Sequence, residues 1–72
     1  MKEIYLAMDV DKEVWGFDTM PTLKDDGMWW VNKGNSYDHY ELMEKNIDVT
    51  KFPISHETPI KIRAVWEVCD ET

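Results

Sequence analysis

The residues able to do chemistry are few, and their spacing limits them. His39 and His56 are the only histidines, with Glu41 and Glu57 close by in sequence. Imidazole and carboxylate together are zinc-ligand types, but neither histidine has an i,i+4 partner or a clustered third donor. Asp9, Asp11 and Glu13 have the 1-3-5 spacing that opens a calcium loop. Position six of that loop would be Val14, where a glycine is needed, and position twelve Met20, where a glutamate is needed. A polar turn accounts for these acids better. Cys69 is the only cysteine, three residues from the end of the sequence, with no histidine beside it to activate a thiolate. Gly16, Gly27 and Gly34 are dispersed and form no phosphate-cradling loop. The expectation is therefore no catalytic residue, no metal site and no cofactor.

Aromatic content is the stronger signal. Four Trp, three Tyr and two Phe sit in a chain of 72 residues. Each buried aromatic removes roughly 150–250 Å² from water, so such a chain can fold although 32% of it is charged. Trp29 and Trp30 are adjacent in a predicted strand, and adjacent strand residues point to opposite faces. One of the two must leave the core. Trp29, Trp30, Tyr37 and Tyr40 are the candidate binding residues, suited to an interface hot spot or to stacking on a sugar or base.

The elements that must carry these residues read as mainly β. The firmest is 60–69. Ile60, Ile62, Ala64, Trp66 and Val68 alternate with Lys61, Arg63 and Glu67, interrupted only by Val65, and Pro59 precedes them. That is a half-buried strand with Trp66 on its apolar face. Residues 3–8 and 13–18 alternate around Asp9-Val10-Asp11-Lys12, which predicts an opening hairpin with a loop of four or five residues. Thr22 to Asp25 resembles a capped helical turn, and Asp25-Asp26-Gly27 a tight turn with positive φ at the glycine. Residues 28–32 form a third strand. Residues 37–42 fit a strand by the β preference of Tyr37 and Tyr40. They also fit a helix capped by Asp38 with Glu41 closing the box; the strand is the reading adopted. The connection from Asn46 to Thr58 is pinned by Ile47, Val49, Phe52 and Ile54 and has room for a helical turn. The result is one domain over residues 1–72: a small antiparallel sheet, or a partly open barrel, of about five strands.

The residues Ile4-Tyr5-Leu6-Ala7-Met8-Asp9, Asp11 with Trp15-Gly16-Phe17, Gly27 with Trp29-Trp30, and Phe52-Pro53-Ile54-Ser55 with Pro59 span most of the chain. In them the chain resembles short hypothetical proteins of gut-type bacteria and their prophages or mobile elements, a group without an assigned activity. The resemblance implies a small β protein of phage or mobile-element type and carries no catalytic residue across.

Charge narrows the partners. Fifteen acidic residues against eight basic ones give a net charge of −7. That disfavours direct nucleic-acid binding, which needs a cationic footprint, and suits an acidic inhibitor of a basic host protein. No apolar run approaches the roughly 20 residues of a membrane helix, no signal-peptide pattern opens the chain, and a lone cysteine fits a reducing compartment. The expectation is a cytoplasmic, non-enzymatic interaction protein with a protein partner. The alternative is a small-ligand or carbohydrate module built on exposed aromatics. An outward tryptophan also favours a weak homodimer, opposed by the repulsion of like charges.

Overall fold

The computed structural model describes residues 3–63 and 67–68. Trp66 and Cys69 lie outside the described residues. Seven strands are described: β1 (Glu3–Met8), β2 (Val14–Phe17), β3 (Thr22–Leu23), β4 (Trp29–Trp30), β5 (Ser36–Tyr37), β6 (Ile60–Arg63) and β7 (Glu67–Val68). One helix, α1 (His39–Glu44), and one 3-10 turn (Val49–Lys51) lie between β5 and β6. Five strands form an open antiparallel sheet in the order β5-β2-β1-β6-β7, and β3 and β4 pair separately. The mainly-β expectation is met as an open sheet, not a closed barrel. Among the described residues, no helix is long and apolar enough to cross a membrane.

β1 is the central strand because both its faces can be buried. On one face Ile4 lies opposite Ile62, Leu6 opposite Gly16 and Ile60, and Met8 opposite Val14. On the other, Tyr5 lies opposite Phe17 and Lys61, and Ala7 opposite Trp15. Ile4, Leu6, Ala7 and Ile62 are all fully buried. The loop from β1 to β2 runs over five residues, since Met8 pairs with Val14.

The expected strand over 37–42 is corrected beyond Tyr37. Asp38 caps α1: its side chain accepts the Glu41 N–H at 2.9 Å, and Glu41 Oε1 accepts the Asp38 N–H at 3.1 Å. Two otherwise orphaned backbone donors are satisfied, which outweighs the modest β preference of tyrosine. The helix ends in a Schellman motif. Asn46 takes φ 63°, the Asn46 N–H donates to the Met43 carbonyl and the Ile47 N–H to the Leu42 carbonyl. Leu42 and Ile47, which flank that turn, both enter the core. Six helical residues do not hold themselves, so α1 depends on this packing. It lies against Gly16, where an added Cβ would stand 2.7 Å from Leu42 Cδ2 and 3.2 Å from Ile4 Cγ2.

The long strand over 60–69 is also corrected. The chain reverses, with Ile62 opposite Val68 and Arg63 opposite Glu67. Three residues intervene between Arg63 and Glu67. A reversal over an odd number keeps even positions opposite even ones, so the alternation is the same for one strand and for a hairpin. The helical turn expected at Thr22–Asp25 is instead β3 and the start of its turn. The helical turn expected between Asn46 and Thr58 is the 3-10 turn, with Val49, Phe52 and Ile54 packed on the core.

Leu42→Ala should cost about 2–5 kcal/mol, the range for truncating a buried leucine. Met43→Ala, on the exposed side of the same helix, should stay within about 0.5 kcal/mol. Urea denaturation of both variants checks the facing of α1; comparable losses would contradict it.

Candidate aromatic interface around the β1–β2 loop

Two-residue strands such as β3 and β4 form a hairpin too small to be stable alone. Its turn is set by Gly27 at φ +85°, with the Gly27 N–H donating to the Lys24 carbonyl and the Lys24 N–H to the Met28 carbonyl. Side chains and loops of the main domain then hold it. Asp9 Oδ1 accepts the backbone N–H of Trp29 at 2.8 Å. The Val10 N–H donates to the Gly27 carbonyl at 3.0 Å. The Trp29 indole N–H donates to the His56 carbonyl at 3.0 Å. His56 Nε2 lies 3.0 Å from the Gly27 carbonyl oxygen, which can only accept, so this nitrogen carries the proton. Gly27 also meets Val10 so closely that a Cβ would stand 2.8 Å from Val10 Cβ.

Asp9 is the only buried charged residue among those described, at 3% exposure. Burial raises its pKa above the usual carboxylate value. The Trp29 N–H opposes the rise, Asp11 and Asp26 add to it, and His56 opposes it. The 1-3-5 acids thus include a residue of structural importance that their spacing did not mark. A signal was present: Asp9 continues the alternation of Tyr5 and Ala7, a second apolar register on β1 that calls for a covering layer.

The four candidate aromatics separate. Tyr37 is 9% exposed, donates its hydroxyl to Asp18 Oδ1 at 2.7 Å and belongs to the core. The Asp18 bond is the main reason its pKa is raised. Trp29 is half-buried, with its indole committed to His56. Trp30 is the outward member of the pair, 41% exposed, beside Leu23, Lys24, Asp25 and Asp26. Lys24 Nζ stands 5.7 Å from the centre of its ring. Tyr40, at 75% exposure, lies on α1 over a cleft shared with Trp15, Lys12 and Glu13. The β1–β2 loop therefore borders both exposed aromatics: Val10 touches the hairpin turn, and Lys12 and Glu13 line the Tyr40 cleft.

Among the described residues, no three His, Cys, Asp or Glu side chains converge as metal ligands. No protein-family model, curated protein or solved structure matches the chain.

The hairpin latch carries a pH signature. A raised native pKa means that the contribution of Asp9 is fully present below its unfolded value and is lost as pH rises through the native one. Asn at this position keeps the acceptor and removes the charge. Asp9→Asn should match or exceed the wild type in melting temperature at pH 7, with the wild type gaining on the variant upon acidification. A variant less stable at pH 7 would show instead that the carboxylate charge strengthens the latch.

Proposed function

We propose that the chain is a non-enzymatic binding protein that offers the Trp30 hairpin to a protein partner with a basic surface. The observation that carries this reading is an exposed tryptophan on a hairpin whose backbone is fixed by a buried carboxylate. An anchor held before binding loses little freedom on association. Leu23 and Val10 extend the apolar area, at 40% and 58% exposure. Asp25 and Asp26 line the hollow beside Trp30, and the net charge of −7 steers a cationic partner toward it. A sugar would have to displace the Lys24 ammonium from the Trp30 ring, which favours a protein over a carbohydrate. The reading extends to a cytoplasmic inhibitor of phage or mobile-element type. Weak homodimerisation through the same patch is the competing use of Trp30.

Affinity capture from bacterial lysate tests the reading. A basic protein should be retained by the wild type, released as salt rises, and lost with Trp30→Ala and with Asp25→Lys/Asp26→Lys. Equal capture by these variants would contradict it. A homodimer resting on Trp30 has the opposite salt dependence and strengthens as repulsion is screened.

A further inference from the structure

The hairpin surface carries a finer specificity than a general preference for basic partners. Thr22 lies opposite Trp30 in the β3–β4 pair, so both side chains leave the same face. Lys24, two residues beyond Thr22, shares that face and stands diagonally across from the indole. Its Nζ is 5.7 Å from the ring centre, near the ~6 Å limit of cation–π attraction. Asp25 and Asp26 follow it in the turn and line the same hollow of about 430 Å³ beside Trp30. Asp26 is held in place, because its Oδ1 accepts the Met28 N–H at 3.0 Å. All four side chains, those of Lys24, Asp25, Asp26 and Trp30, are exposed. The chain thus sets one of its own cations against an accessible aromatic ring bordered by two carboxylates.

Resting on the reading of Trp30 as the partner anchor, we propose that this hollow takes an arginine side chain of the partner, which displaces Lys24 from the ring. A guanidinium is planar and weakly hydrated, so it stacks on an indole where an ammonium keeps its water. Its fork of N–H donors also suits a carboxylate beside the ring. A lysine from the partner would only reproduce the contact that Lys24 already makes. An apolar side chain or a sugar would remove a cation from between two carboxylates and return nothing. Arginine exchanges cation for cation, and the released Lys24 ammonium, whose contact is long, goes back to water.

The test is a titration of the full isotope-labelled chain, at constant ionic strength, with two blocked tripeptides, glycine-arginine-glycine and glycine-lysine-glycine. The arginine peptide should move the Trp30 indole N–H and the Asp25 and Asp26 amides saturably, and should bind more tightly than the lysine peptide. Lys24→Gln should tighten arginine binding about threefold, because the internal competitor is gone. Lys51→Gln, an exposed position on the 3-10 turn with the same change in net charge, should not. Asp25→Asn and Trp30→Leu should each weaken it. No saturable shift, equal binding of the two peptides, or an equal gain from Lys24→Gln and Lys51→Gln would each overturn the proposal. Capture of a basic partner through Trp30, with no response to the arginine peptide, would overturn it while leaving the broader reading in place. Capture indifferent to Trp30→Ala would strike that reading, and the proposal with it.

Discussion

The bond from the Trp29 N–H to the Asp9 carboxylate is the constraint on which the exposed surface depends. Burying a carboxylate to 3% exposure is costly and still raises its pKa, and the 2.8 Å bond from the Trp29 N–H to Oδ1 offsets part of that cost. It also fixes a hairpin that has only two residues per strand. The Val10 and His56 contacts to the Gly27 carbonyl and the indole bond to His56 act on the same few residues. Trp29 is held in part inside, so its neighbour Trp30 must point out. Strand alternation then turns a local tether into a directed aromatic side chain.

The opposite face of the sheet is organised by a close approach. Gly16 leaves room for Leu42 against β2, and Ile4 and Leu6 complete the layer from β1. The capping box starts α1 at Asp38, and the Schellman turn at Asn46 returns the chain so that Ile47 enters the same core. With Leu42 inside, Tyr40 and Met43 are left outside. Both exposed apolar surfaces are thus by-products of how a small domain buries its core. Each borders the loop that joins β1 to β2.

What was legible in the sequence was local chemistry. The alternation of β1 and β2, the turn at Gly27 and the split between Trp29 and Trp30 all appear as the residues imply. The capping box at Asp38 was equally visible, and its two hydrogen bonds outweigh the β preference of Tyr37 and Tyr40. What was not legible depends on pairing. Parity hides a reversal between Arg63 and Glu67. The expected count of about five strands matches the main sheet, but with different members: β4 leaves for the hairpin, and the last segment supplies two strands. The latch joins Asp9 to Trp29, twenty positions away, and no short-range pattern reports such a contact. Of the four candidate binding residues, Trp30 and Tyr40 are strongly exposed, while Tyr37 serves the core through its ring and Asp18 through its hydroxyl bond.

The Asp9 carboxylate holds the aromatic hairpin on the sheet. Amide hydrogen exchange at Trp29 tests it most directly. In the wild type this amide should be strongly protected, although it belongs to a strand of two residues, and in Asp9→Ala it should exchange nearly as fast as an open loop while Leu6 in β1 keeps its protection. Fast exchange of Trp29 in the wild type, or protection unchanged in Asp9→Ala, would contradict the claim.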